Sequence, residues 1–248
     1  MPLISIITGT LNDKHRLVAT IASVQKQTGV SVEHIIVDGN GHDGTANWLR
    51  ENNFPLVRWV SQTNRGISEA MNIGMSMASG EWYFFLCAGD ELLPNILSQM
   101  APMLTDGLDV LAGHVQKAEG GRFYSTFSEA MLVSNLIHHQ AAFYHRRIFD
   151  EFQYDTSIKA MADYELNLLM WLQKRNVRII DEDISYYDIQ GISGPLWRSL
   201  VESNRIKFRR LGLVGGTRYG AILAWKYLII HLKRIKRKHF TPTLPVAS

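Results

Sequence analysis

Four short apolar runs, residues 3–8, 32–37, 56–60 and 82–87, alternate with stretches of helix length. The runs are rich in Ile, Val and aromatic residues, the composition of buried strands. Between them, residues 15–27 place Leu17, Ile21 and Val24 at helical spacing. The stretch after Asp43-Gly44-Thr45 carries Trp48 and Leu49, and residues 67–78 set Ala70, Met71, Gly74 and Met77 on one face. A hairpin joins antiparallel strands, whereas a helix-length crossover joins parallel ones. The expected fold is therefore α/β, with a doubly wound and mostly parallel sheet.

The fourth run, Trp82 to Cys87, stops at Ala88-Gly89-Asp90-Glu91. A hydrophobic strand thus delivers two carboxylates to its C-terminal end, where ligands bind in open α/β sheets. A carboxylate there can hold a hard cation, and the cation a diphosphate. The alternative is that Asp90 and Glu91 cap a following helix with Pro94 in its first turn. The second half is less regular. Residues 97–104 read as helix and 109–112 as strand, and 122–127 and 141–145 read as strands of a small antiparallel portion. Residues 160–175 read as helix, with Leu166, Leu169, Met170 and Leu172 to pack, and 177–187 as strand. Gln190-Gly191-Ile192-Ser193-Gly194-Pro195 is a break that separates a domain over 1–195 from a tail over 196–248.

The first turn, Thr8-Gly9-Thr10-Leu11-Asn12-Asp13, lacks G-x-G-x-x-G, and no Walker loop occurs. A phosphate cradle of glycine backbone is thereby disfavoured, and side-chain carboxylates with a metal are the alternative. Asp38, Asp90 and Asp163 stand at or beside strand ends. Asp38 can accept a base N–H or serve the turn before Gly39, and Asp43 suits an N-cap or Asx turn. Cys87 is the single cysteine, which excludes an internal disulfide framework and a Cys cluster for zinc and fits a reducing compartment. The N-terminus has no basic n-region, so no signal peptide is expected.

Ile4-Ser5-Ile6-Ile7-Thr8, His34-Ile35-Ile36-Val37-Asp38-Gly39 with Asp43-Gly44-Thr45, Arg65 to Gly74, and Leu86-Cys87-Ala88-Gly89-Asp90, in that order, resemble bacterial family-2 glycosyltransferases of GT-A fold. The subgroup resembled builds exopolysaccharide, capsule or O-antigen units, colanic-acid-type transferases included, and the resemblance covers residues 3–195. It implies that Thr8 and Thr10 lie along the nucleotide, and that Asp38 recognises the base. It further implies that Arg65, Glu69 and Asn72 line the donor pocket, with Gly89 and Asp90 at the diphosphate. Asp90 corresponds to the last acid of the metal motif for Mn2+ or Mg2+. Cys87 and Gly89 replace acids of the fuller motif, so metal should bind weakly without nucleotide. Ala162-Asp163-Tyr164-Glu165 resembles the motif that carries the general base, here Asp163. His138-His139-Gln140-Ala141 resembles a segment beside the acceptor or sugar, and Ser193 lies in a Gly-Ile-Ser segment that closes over the site.

The tail is a separate matter. Residues 196–248 carry 12 Lys/Arg and one acid, Glu202, whereas residues 1–195 carry 14 Lys/Arg and 22 acids. Its apolar run from Tyr219 is too short to span a bilayer and ends in Lys233-Arg234-Ile235-Lys236-Arg237-Lys238. This suits an amphipathic helix on an anionic membrane surface, or a terminal helix packed on an acidic body. Its apolar side is too heavy for a nucleic-acid arm, so no nucleic acid partner is expected.

The expected activity is inverting, metal-dependent sugar transfer. The donor is a nucleotide-diphosphate sugar, a UDP-sugar favoured, and the acceptor a polyprenyl-diphosphate-linked saccharide. The expected place is the cytoplasmic face of the inner membrane, with the protein peripheral. A sugar nucleotidyltransferase would need an early triphosphate loop, which is absent. A non-catalytic nucleotide-sugar-binding assembly protein is the other alternative.

Overall fold

The computed structural model describes residues 3–63, 66–118, 120–187 and 196–239, with side chains of the last stretch given for 197–229. The first half is the expected alternation: β1 (Ile4–Thr10), α1 (Lys14–Gln25), β2 (Val32–Asp38), α2 (Thr45–Glu51), β3 (Val57–Ser61), α3 (Ile67–Met77) and β4 (Trp82–Phe85). Then come β5 (Glu91–Leu92), α4 (Ile96–Met100), β6 (Val110–Lys117), β7 (Arg122–Phe123), β8 (Ala142–His145), α5 (Ala162–Leu172), β9 (Val177–Tyr187) and α6 (Leu196–His239). Among the described residues the strands form one sheet in the order β3-β2-β1-β4-β8-β6-β9-β5, with β7 on β6. Pairs β1/β2, β2/β3, β1/β4 and β6/β9 are parallel, and β8, β5 and β7 pair antiparallel. The α/β expectation, with its small antiparallel portion and C-terminal helix, is borne out.

The β4 side chains are wholly or nearly buried because the strand lies between β1 and β8 with helices on both faces. Phe84 stacks at 4.7 Å on Phe143 of β8, the kind of cross-strand pair that pins register. Gly74 lets α3 settle on β1, since a Cβ there would lie 2.3 Å from Ile7 Cγ2. At the N-terminal end of these strands the buried Glu33 accepts from Ser5 Oγ at 2.7 Å, Ser79 N at 2.6 Å and Arg58 Nη1 at 3.0 Å. That knot leaves the opposite, C-terminal end for chemistry.

Several local expectations change. Asp90 and Glu91 do not cap a helix: Glu91 and Leu92 pair with Tyr186 and Ser185 of β9. The helix over 97–104 is α4 followed by a 3-10 turn at Ala101–Met103 that carries Pro102. The strand over 122–127 is only two residues, and the tail helix breaks at Gly212, where φ is 69°. Among the described residues no helix is long and apolar enough to cross a membrane.

Candidate active site

The loop after β4 is shaped by α1 as much as by its own sequence. Thr20 Oγ1 accepts from Gly89 N at 2.9 Å and donates to the Asp90 carbonyl at 2.8 Å, and Ser23 Oγ accepts from Leu92 N at 3.1 Å. Gly89 has φ +98°, and a Cβ on it would lie 2.3 Å from a guanidinium nitrogen of Arg16. The positive φ favours glycine there, and a side chain would also displace the Arg16 guanidinium. Arg16 is steadied by Asp13, Nη1 to Oδ2 at 2.8 Å.

Beyond this loop is a cavity of about 490 Å3 at the C-terminal end of the parallel strands. Thr10, Asp90, His139, Gln140 and Asp163 all line it, so β1, the β4 loop, the turn before β8 and the first turn of α5 converge there. Asp90 and Asp163 share one chamber. Asp90 is buried, and its Oδ2 accepts from Gln140 Nε2 at 3.1 Å. The Gln140 Oε1 in turn accepts from His138 Nδ1 at 2.8 Å, which orients the amide. Burial lowers the His138 pKa despite that bond, so His138 is neutral.

Asp163 is held from three sides. Its Oδ2 accepts from Asn135 Nδ2 at 2.8 Å and from His139 Nδ1 at 3.3 Å, and its Oδ1 accepts from Tyr164 N at 2.8 Å. Asn135 is itself set by Asn167 of α5, Nδ2 to Oδ1 at 3.0 Å. The far ring nitrogen of His139 meets Cys87 Sγ at 3.6 Å. Burial opposes charge on His139, but Asp163 and Cys87 outweigh it and raise its pKa to about 10. Burial likewise opposes charge on Asp163, but His139 prevails and holds it below the ordinary carboxylate range. The pair is therefore an ion pair at neutral pH, with Asp163 an unprotonated carboxylate facing the cavity.

Other expected site residues fall elsewhere. Asp38 is opposite Thr10 in the β1/β2 register and buried. Its Oδ2 accepts from Ser61 Oγ at 2.6 Å, while Oδ1 and the neighbouring Thr10 Oγ1 have no hydrogen-bond partner among the described residues. Thr10 lines the cavity, and Asp38 lies just outside the lining. Thr8 does not reach the cavity, because its hydroxyl points between strands to His34 Nε2 at 2.9 Å. Asn72 does not either: its amide donates to the Tyr154 carbonyl at 2.9 Å and accepts from Tyr154 N at 3.0 Å, which clamps α3 to that loop. Glu69 is half-buried in the first turn of α3, outside the lining. Arg65 and Ser193 lie outside the described residues.

The sequence reading missed two cations on the cavity wall, Arg16 and Lys159, and the Asn135 partner of Asp163. None belongs to a periodic pattern or to a motif, so only the fold brings them in.

No group of three or more metal-ligating side chains occurs among the described residues. A Cβ at position 89 would meet the Arg16 guanidinium. Among the described residues the carboxylates that line the cavity are Asp13, Asp90 and Asp163, and they do not make a stand-alone metal cage.

Residues 5–162 match the family described as Glycosyl transferase family 2. A "PGL/p-HBAD biosynthesis glycosyltransferase" of Mycobacterium bovis is 31% identical over 208 residues, 79% of this chain and 80% of its own. The fold resembles that of S. aureus TarS 1-349 in complex with UDP-GlcNAc, with TM-score 0.69, 16% identity and coverage of 89% of this chain and 71% of that one. It also resembles mannosyltransferase PcManGT of Pyrobaculum calidifontis in complex with GDP-Man and Mn2+, with TM-score 0.66, 14% identity and coverage of 96% and 82%. With its strand order, its acid-lined chamber and a family match over more than half its length, this chain belongs to glycosyl transferase family 2.

Proposed function

We propose that the protein transfers a sugar, with inversion, from a nucleotide-diphosphate sugar to a lipid-linked saccharide in surface polysaccharide or glycolipid assembly. The observation that carries this reading is the placement of Asp90 and Asp163 on one cavity. Asp163 takes the proton from the acceptor hydroxyl as that oxygen bonds to the anomeric carbon. The anomeric C–O bond to phosphate breaks, and its electron pair leaves with the nucleoside diphosphate. Arg16, Lys159 and the N-terminal N–H groups of α3 at Gly66 and Ile67 border the cavity and oppose that charge. A divalent cation at Asp90, when bound, adds Lewis-acid stabilisation of the diphosphate. The unpartnered oxygens of Thr10 and Asp38 suit the nucleoside end.

A UDP-sugar is the favoured donor; the TarS complex contains UDP-GlcNAc, and PcManGT binds GDP-Man with Mn2+. We assign the acceptor to the polyprenyl-diphosphate-linked class and the working place to the cytoplasmic face of the membrane, because the basic tail suits an anionic lipid surface. Thermal-shift screening against UDP-, GDP-, CDP- and dTDP-sugars with Mn2+ tests the donor site. A rise in Tm with one nucleotide class is expected, and no rise with any would overturn the reading. A donor that binds but is never transferred or hydrolysed, with or without metal, would favour the non-catalytic binding protein.

A further inference from the structure

The single acid of the basic tail does not face solvent. Glu202 is buried, and its carboxylate accepts from three consecutive backbone groups: Lys159 N at 3.0 Å, Ala160 N at 2.8 Å and Met161 N at 3.1 Å. Those three residues line the cavity and lead directly into α5, which carries Asp163. One turn on, the buried Glu165 accepts from Arg209 Nη1 at 3.2 Å and Arg210 Nε at 2.9 Å. Ile206 and Lys207 are buried on the same side of this helix. Residues 196–211 are thus built into the wall of the site.

After the break at Gly212 the chain folds back. A Cβ on Gly216 would lie 2.4 Å from the Phe208 ring, and one on Gly220 would lie 2.7 Å from Asn204 Oδ1. The two glycines let residues 213–229 seat closely against residues 196–211. Leu223 continues that seam and is buried. The opposite face carries Ile222, Trp225 and Ile229 at helical spacing, with Leu228 beside them, and Trp225 is 63% exposed. Arg218 and Lys226, both exposed, flank this row, and the sequence continues into five more bases over 233–238. An apolar row bordered by cations fits an anionic bilayer, with Trp at the headgroup level and each base near the surface contributing about 1 kcal/mol.

We propose that the C-terminal helix pair makes the active site respond to lipid: an anionic bilayer on the Ile222–Trp225–Ile229 face steadies the inner helix, and Glu202 passes that restraint to residues 159–161 and the start of α5. Glu202 is a positioning residue and touches no substrate. The proposal rests on the reading of this cavity as the transfer site, but its physical test needs no sugar. A ligand that binds the docked hairpin more tightly than the opened one shifts that local equilibrium, and the amides tied to Glu202 report it.

The test is hydrogen–deuterium exchange of the full chain, alone and with vesicles of 30% phosphatidylglycerol in phosphatidylcholine or of phosphatidylcholine only. With anionic vesicles the protein co-sediments, and exchange at 159–165 slows by about tenfold. With neutral vesicles neither happens. Trp225→Ser with Ile229→Ser loses both effects. Glu202→Gln still co-sediments but shows no lipid-dependent slowing at 159–165, which a merely structural role would not predict. Co-sedimentation without any change at 159–165 in the wild-type chain overturns the coupling, even if the Gln variant fails to fold. Equal binding to neutral vesicles, or none to either, overturns the lipid surface. Failure of nucleotide sugars to bind would strike the transferase reading and leave these outcomes intact.

Discussion

Lys207→Met isolates the cost of burying an ammonium against the helix that carries Asp163. Lys207 is fully buried, its Nζ has no hydrogen-bond partner among the described residues, and it lies 5.1 Å from the centre of the Tyr164 ring. Burial lowers its pKa from 10.5 to about 8. Between those values the unfolded chain holds a proton that the folded chain lacks, so stability rises with pH across that window. Below about pH 8 both states are charged and the full penalty applies. At about 1.4 kcal/mol per pH unit the displacement corresponds to roughly 3 kcal/mol at pH 7 and to about half of that at pH 9.5. Methionine matches the length of the lysine stem and needs no partner. Lys207→Met should therefore stabilise the protein by on the order of 3 kcal/mol at pH 7 and by about half that at pH 9.5. Paired urea titrations of the two proteins at both pH values measure this, since other titrating groups cancel in the difference. A destabilised variant, or a gain independent of pH, would refute the reasoning.

Three further outcomes are expected. Gly89→Ala should cost at least about 1 kcal/mol and weaken donor binding, because φ +98° strains any residue with a Cβ and that Cβ would push the Arg16 guanidinium aside; urea unfolding and donor titration check it. His34 is buried neutral with its pKa lowered to about 3 by burial. Its contribution is full above pH 6.5 and is lost as the pH falls toward 3. The stability gap between wild type and His34→Gln should thus close by roughly 1.4 kcal/mol per pH unit in that window, and a flat gap would contradict it. Asp90→Ala should abolish the Mn2+-dependent part of the donor-induced rise in Tm, and an unchanged rise would remove Asp90 from the cation.

Much of the fold is legible in the order of the chain. The Ile- and Val-rich runs and the helical spacing of Leu17, Ile21 and Val24 give the parallel half. The abrupt stop after Cys87 points to the site, and Asp90 and Asp163 meet there although 73 residues apart. What periodicity carries is burial, so polar partners chosen by the tertiary fold are hidden from it. Thr20 and Ser23 read as neutral helix positions, yet they hold the Gly89–Asp90 loop. Asn72 sits in the stretch that the family resemblance assigns to the donor, yet both ends of its amide are spent on the Tyr154 backbone. Glu202 reads as a stray acid among bases because nothing in the sequence indicates that residues 159–161 need an acceptor.

The most direct measurement compares donor affinity with sugar transfer in Asp163→Asn. Proton abstraction at this position predicts a folded protein that binds the nucleotide sugar within a few-fold of wild type and transfers it about 10²–10⁴-fold more slowly. Transfer at a near wild-type rate would mean that another group accepts the proton, and that the chamber shared by Asp90 and Asp163 does not work as described.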